Sequence, residues 1–337
     1  MATFEAWVAP TANQKFVRQK LDVGPLGPEE VEVAVEHCGL CHSDLSMLRN
    51  DWGMSQFPAV FGHEAVGRVV ELGSAAKGLQ IGQRVGIGWN AASCLHCRQC
   101  KSGSHQLCAE VLPTIAGGHR GGFASRVRAH WMWTLPLPEG INAADAGPLL
   151  CGGITVFNPL AMHATPTSRV GIVGIGGLGH MGVKFAAAYG CDVTAFTSSE
   201  SKFDEACEFG AHHVVSSRDS AAIKKLAGTF DLLIVTVNVT LDWAALIASL
   251  APNGRLHMVG AVTEPMAIPA LPLIFGQKSV SGSPTGSPTD IETMLDFATR
   301  HQVTPQTEHY PMSRINDAFE RLESGKARYR IVLDADF

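Results

Sequence analysis

The sequence predicts an α/β protein of two domains, a β-rich first half followed by a doubly wound parallel sheet. Three observations point there. The chain has 337 residues, more than a single hydrophobic core sustains. Its first half holds short β-branched or alternating runs separated by Gly, Pro and Asn turn signals. From Arg169 the rhythm turns to strand, helix, strand, and crossovers of that kind join parallel strands.

In the first half, strands are expected over Glu30 to Val35, Ala65 to Glu71 and Arg84 to Gly88. In the second, Arg169 to Val173 leads into an apolar helix from about Leu178 to Tyr189 and a strand from Asp192 to Phe196. The unit then recurs, with strands at His213 to Val215, Asp231 to Val237 and Gly254 to Val259. Helices fall between them at about Lys202 to Phe209, Ala221 to Ala227 and Asp242 to Leu250. A sixth strand, Ser279 to Gly282, enters the turn-rich loop Ser283-Pro284-Thr285-Gly286-Ser287-Pro288, where a domain boundary is expected. A helix from about Thr289 to Arg300 follows.

Composition narrows the function. No segment approaches the roughly eighteen uninterrupted apolar residues of a membrane span, and Met1 to Trp7 lacks the basic and apolar stretches of a signal peptide, so the cytoplasm is expected. A formal net charge of −5 argues against a nucleic-acid partner, whose phosphates call for a basic stripe. A small molecule is the expected partner. Nine cysteines in a chain kept reduced point to metal rather than to disulfides.

Cys94, Cys97, Cys100 and Cys108 stand at spacings of three, three and eight. A CxxC step aims two sulfurs at one ion, Gly103 lets the chain bend back, and four thiolates close a tetrahedral shell around a structural Zn²⁺. Four thiolates also suit an iron-sulfur cluster, and spacing does not separate the two. Cys41, His63 and Cys151 are further candidate ligands, since a catalytic zinc takes three protein ligands from distant parts of a chain. Taken singly, a lone His or Cys on a β-rich chain is more often packed core or surface.

Gly174-Ile175-Gly176-Gly177-Leu178-Gly179 matches GxGxxG between an expected strand and an expected helix. Glycines serve the tight turn, the close approach of a pyrophosphate and the packing of the helix, whose N-terminus offers N–H donors. Dinucleotide binding follows. An NAD site places Asp or Glu at the end of the next strand, where this chain reads Thr197-Ser198-Ser199-Glu200-Ser201-Lys202. Ser198 can donate to a 2′-phosphate and Lys202 can neutralise it, which selects NADP(H). The alternative is that Ser199 or Ser201 only caps the next helix and that Glu200 reaches a ribose.

With Gly62-His63-Glu64, the four-cysteine lobe, Pro148-Leu149-Leu150-Cys151-Gly152-Gly153-Ile154-Thr155 and the glycine loop in this order, the chain resembles the zinc-dependent medium-chain alcohol dehydrogenases over nearly its whole length. It is most similar to their cinnamyl alcohol dehydrogenase group, and there to broad-specificity NADPH-dependent aldehyde reductases. The resemblance implies a GroES-like β-rich catalytic domain over 1–153, a Rossmann domain over 154–286, and a C-terminal segment, 287–337, that completes the catalytic domain. The active-site cleft is then expected between the two.

By the same resemblance Cys41, His63 and Cys151 hold a catalytic zinc, with Glu64 behind them or as an alternate ligand. Two zinc ions per chain are implied. Asp44 orients His63, Ser43 transfers the proton, Thr155 contacts the cofactor, and Trp52, Met54 and Trp89 line a cleft for aromatic or medium-chain aldehydes. In much of the family a His three residues after the hydroxyl ends the proton relay; here that position is Ser46. His42 is the local substitute, or else it only touches the cofactor phosphates. A homodimer is expected. The rival reading, a non-catalytic dinucleotide-binding or redox-sensing protein on the same fold, is set against Cys41, His63 and Cys151. A zinc-free quinone reductase would lack those three, and a zinc-ribbon nucleic-acid binder would need a basic surface.

Overall fold

The structure, a computed structural model, describes residues 3–337 and divides into two compact units. One runs to Cys151 and resumes over Thr285–Phe337; the other is Gly152–Pro284. The crossings fall two residues before the boundaries expected after 153 and 286.

The first unit opens with an antiparallel hairpin of β1 (Thr3–Val8) and β2 (Val17–Asp22). β3 (Glu30–Leu40) is its long central strand, ending where α1 (His42–Arg49) begins. β4 (Ala65–Leu72) and β5 (Arg84–Ile87) continue antiparallel from it. The cysteine segment, with the short α2 (Arg98–Lys101), is bracketed by a two-stranded ribbon of β6 (Asn90–Ala92) and β7 (Leu112–Pro113). β8 (Arg126–His130), β9 (Leu135–Pro136) and α3 (Ala143–Ala146) complete the first pass.

The second unit starts with α4 (Gly152–His163), whose residues are buried from Gly152 to Leu160, so no helical period marks it in the sequence. β10 (Arg169–Val173), α5 (Gly179–Ala188), β11 (Asp192–Thr197), α6 (Phe203–Glu208), β12 (His213–Ser216), α7 (Ser220–Lys225), β13 (Phe230–Val235), α8 (Trp243–Ser249) and β14 (Leu250–Met258) follow the expected alternation. α9 (Ala270–Gly276) precedes β15 (Ser279–Gly282). All six strands are parallel, in the order β12-β11-β10-β13-β14-β15. The order reverses between β10 and β13, at the carboxyl ends of which open α/β sheets bind their ligands.

The chain then returns to the first unit through α10 (Pro288–His301), capped by Ser287 and Asp290, then β16 (Thr307–Pro311), α11 (Ile315–Glu323) and β17 (Arg330–Asp334). The seven-stranded sheet reads β16-β17-β3-β4-β5-β9, with β8 also on β3. β17 lies antiparallel to β3, with Ile331 opposite Leu40 and Val332 opposite Gly39, so the last strand of the protein borders Cys41. Ile315, Ala318, Phe319 and Leu322 of α11 recur at helical spacing and bury one face beside Phe16 and Phe123. Among the described residues no helix is long and apolar enough to cross a membrane.

Candidate metal centres and nucleotide site

In the first unit Cys41, His63, Glu64 and Cys151 are all buried, and one donor atom from each lies within 4.8 Å of the others. Cys41 is the N-cap of α1, His63 and Glu64 lead into β4, and Cys151 follows the 3-10 turn Gly147–Leu150. His63 Nε2 is 3.2 Å from Cys151 Sγ. Asp44 holds the group from behind: its carboxylate accepts from Cys41 N at 3.0 Å, Gly62 N at 2.9 Å and the His63 Nδ1–H at 3.1 Å. With Nδ1 as donor, Nε2 keeps its lone pair for a metal. Gly39 is required beside Glu64, because a Cβ there would fall 1.9 Å from Glu64 Oε2.

The electrostatics fit a cation. The hydrogen bond from Cys151, together with nearby Arg330 and His63, holds the Cys41 thiol well below its usual pKa, and that same bond and burial push Cys151 up. Burial disfavours a charged His63, yet the Asp44 carboxylate outweighs it and raises its pKa. Burial raises Glu64 despite Arg330, whose guanidinium hydrogen-bonds Glu64 Oε1 and stands 3.9 Å from Cys41 Sγ. Glu64 Oε2 has no hydrogen-bond partner. Two thiols, an imidazole nitrogen and an unpartnered carboxylate oxygen, all removed from water, form a donor set suited to Zn²⁺.

The lobe forms a second set, with the sulfurs of Cys94, Cys97, Cys100 and Cys108 likewise within 4.8 Å of one another and Cys94 Sγ 4.0 Å from Cys100 Sγ. A tetrahedral ion with Zn–S of about 2.3 Å separates its sulfurs by about 3.8 Å, so the lobe is sized for one ion and too tight for a multi-iron cluster. Backbone N–H groups of Cys97, Cys100 and Glu110 point at Cys94, Cys97 and Cys108 sulfurs at 3.4, 3.5 and 3.3 Å. Through the bond from Cys100 N–H, Cys97 is lowered to about 7, while burial pushes Cys100 up to about 12. Only with a cation between them could all four sulfurs this close be thiolates at once.

In the second unit the three fingerprint glycines have different reasons. Gly174 has φ +99° and a Cβ would meet Val237 Cγ1 at 2.3 Å; at Gly179 it would strike the Gly174 carbonyl at 1.7 Å, which closes the turn against α5. At Gly176 a Cβ would meet nothing within 4 Å, leaving that backbone open to a phosphate. Gly177 and Leu178 complete the turn. Thr197 ends β11 buried, Ser198 is exposed and Lys202 reaches back so that its Nζ donates to the Ile175 carbonyl at 2.7 Å. Ser199 caps the turn Glu200–Lys202 in position only, with no side-chain cap hydrogen bond; its Oγ lies 2.8 Å from Ser201 Oγ. Thr155 is buried on α4.

Of the other sequence candidates, Trp89 meets the His63 ring edge to face at 4.9 Å, and Trp52 meets Trp89 at 6.2 Å, while Met54 is exposed. Ser43 Oγ lies 3.7 Å from Cys41 Sγ. His42 sits at the solvent surface of its unit, yet protein crowding around the ring lowers its pKa. Arg330 is the residue that sequence reading missed. It carries no motif, and only the pairing of β17 with β3 brings it to Glu64.

Residues 27–139 match the alcohol dehydrogenase GroES-like domain family and residues 177–300 the zinc-binding dehydrogenase family. The aldehyde reductase AdhA of Synechocystis sp. is 50% identical over 330 residues, 98% of each chain. A cinnamyl alcohol dehydrogenase from Sorghum bicolor is similar in structure, with a TM-score of 0.94 at 37% identity over 99% of this chain and 98% of that one. CAD from Helicobacter pylori, complexed with NADP(H), gives a TM-score of 0.90 at 27% identity over 99% and 98%.

Fold and sites together define an oxidoreductase that works with a nicotinamide cofactor and zinc. The chain belongs to the zinc-dependent medium-chain alcohol dehydrogenases, in their cinnamyl alcohol dehydrogenase-like group, and interconverts aldehydes and alcohols.

Proposed function

We propose that this enzyme uses NADP(H) and holds two zinc ions per chain. The catalytic ion belongs to Cys41, His63 and Cys151, with Glu64 as alternate donor; the structural ion belongs to Cys94, Cys97, Cys100 and Cys108. The observation that carries this reading is the convergence of Cys41, His63 and Cys151 on one buried point with Asp44 behind them. Three protein ligands leave one position for substrate, whereas four thiolates close the shell. Bound zinc supplies Lewis-acid polarisation of the substrate oxygen, and the nicotinamide supplies the hydride.

The chain's own residues do the rest. Asp44 fixes the His63 ring, and Arg330 holds Glu64 while offsetting the negative charge of Cys41. In carbonyl reduction Ser43 donates a proton to the oxygen that gains charge, and it must be resupplied from behind. Ser46 does not titrate near neutral pH, which leaves His42 or solvent as the source.

For the cofactor, support comes from the exposed Ser198 at the end of β11, from Lys202 drawn onto the glycine loop, and from the lack of an Asp or Glu closing that strand. The NADP(H) complex of the Helicobacter pylori CAD agrees with it. The paired rings of Trp52 and Trp89 beside His63 favour aromatic and medium-chain aldehydes. A homodimer fits the edge position of β15 and the exposed Leu271, Ile274 and Phe275 of α9. The cytoplasm is the proposed compartment, where the lobe thiols stay reduced.

A panel of aldehydes and alcohols assayed with NADPH and NADH, with zinc quantified on the same preparation, tests this reading. Preference for NADH, or a single zinc per chain after metal-replete purification, would overturn the corresponding half.

A further inference from the structure

Beside the four-sulfur lobe stands a second donor set that the oxidoreductase chemistry does not use. Cys94, His96 and Glu110 each bring a ligand atom within 4.8 Å of the others, and Cys94 is common to both sets. The two sets differ in access. Cys100 and Cys108 are buried, whereas His96 and Glu110 are exposed. His96 Nδ1 lies 2.6 Å from the Cys94 carbonyl, which makes Nδ1 the donor and leaves the Nε2 lone pair free to bind a metal. Leu95, between the two residues, has φ +59°, a left-handed conformation disfavoured for a side chain with Cβ, and this turn sets His96 beside the Cys94 carbonyl. Glu110 is placed by its own N–H bond to Cys108 Sγ.

From this overlap we propose that Cys94, His96 and Glu110 form an entry and exit site for the structural zinc, in which Cys94 hands the ion between the exposed set and the tetrathiolate. An arriving hydrated Zn²⁺ first exchanges waters for an exposed imidazole, carboxylate and thiolate, a mixed set that zinc accepts. Transfer would then exchange His96, Glu110 and the last water for Cys97, Cys100 and Cys108, whose thiol protons pass to solvent as they bind, while Cys94 keeps its bond, so the ion would never cross the lobe without a protein ligand. Release retraces the same steps. This inference rests on the lobe being a zinc site, as proposed above.

The test is exchange of the intact zinc-loaded enzyme against excess Cd²⁺, followed by ¹¹³Cd NMR, which separates a four-sulfur site from a site with nitrogen. His96→Ala and Glu110→Gln are each expected to slow the appearance of the four-sulfur resonance by about tenfold, the lower end of what losing even a partner behind a metal ligand costs in affinity, with zinc content unchanged. His96→Cys, which restores a ligand, should restore the rate. A merely structural role for His96 or Glu110 predicts the opposite sign, since a loosened lobe exchanges faster. Unchanged or faster exchange overturns the entry site, and a missing four-sulfur resonance in the wild type overturns the zinc lobe with it.

Discussion

His63 Nδ1 lies 3.1 Å from Asp44 Oδ1, and neither side chain has any exposed surface. Asp44 belongs to α1 and His63 to the segment entering β4, so one carboxylate ties together the two elements that deliver Cys41 and His63. Removing the charge while keeping the shape isolates this role. Asp44→Asn should lower zinc affinity at the catalytic site and kcat/KM by about tenfold to a hundredfold, as the loss of a partner behind a ligating histidine does. Competitive titration with a chelator measures the affinity. Full zinc affinity in this variant would mean that His63 is oriented by packing alone, through Trp89.

The two cysteine sets should respond differently to loss of a thiol. Cys151→Ser is expected to abolish activity and leave about one zinc per chain with the thermal transition little changed. Cys97→Ser should lose the lobe ion and lower the melting temperature, because a closed zinc shell contributes folding energy. Elemental analysis and thermal scans on both variants decide this. Activity spared in Cys151→Ser would show the roles to be reversed.

Cofactor choice should lie in Ser198 and Lys202. Ser198→Asp sets a negative charge against the 2′-phosphate and offers the ribose of NADH an acceptor, while Lys202→Ala removes the cation and should raise KM for NADPH alone. Each should cut the ratio of kcat/KM for NADPH over NADH by about tenfold or more, the scale of one charge-assisted contact of roughly 1.5 to 3 kcal/mol. A ratio that stays the same in both variants places the discrimination elsewhere.

The proton source behind Ser43 separates by kinetics. If His42 supplies it, His42→Gln should lower kcat for aldehyde reduction by roughly tenfold to a hundredfold, less than a full general-acid contribution since water partly substitutes. A raised KM for NADPH with unchanged kcat would instead make His42 a phosphate contact and leave solvent as the source.

How much of this was readable in the chain depends on whether the signal was local. The βαβ rhythm, the glycine loop and the CxxC lobe are local, and Gly174, Gly179 and the four lobe sulfurs stand as their spacing required. α4 and α9 escaped for opposite reasons: the first is buried on nearly all sides, and the second fully buries no residue, only Leu273 packing partly on the core, so neither shows a helical period. The proposed ligands Cys41, His63 and Cys151 gained meaning only from family resemblance, because each is a lone residue until the sheet assembles. Arg330 had no signal at all, since its approach to Glu64 follows from a strand pairing across some 290 residues.

A last expectation concerns pH and the joint between α3 and the C-terminal strands. His309 on β16 is held between two carboxylates: its Nε2 lies 3.1 Å from Asp145 Oδ1 on α3, and its Nδ1 lies 3.0 Å from Asp334 Oδ1 on β17. His37 from β3 shares Asp334 at 2.7 Å, and Thr307 Oγ1 hydrogen-bonds Asp145. Partial burial works against an imidazolium here, but the hydrogen bonds and charges of Asp145 and Asp334 outweigh it and raise the pKa of His309. A raised folded-state pKa means that the stabilisation is fully present below the unfolded value of about 6.5 and is lost as pH climbs through the folded value. The melting temperature of wild type should therefore exceed that of His309→Gln most clearly near pH 6, and the gap should narrow as pH rises above neutrality. Glutamine keeps a donor and an acceptor but cannot carry the charge, so the pH dependence of the gap reports the charge itself. A gap that holds constant from about pH 6 to 9, or that widens, would show that the two aspartates bind a neutral ring.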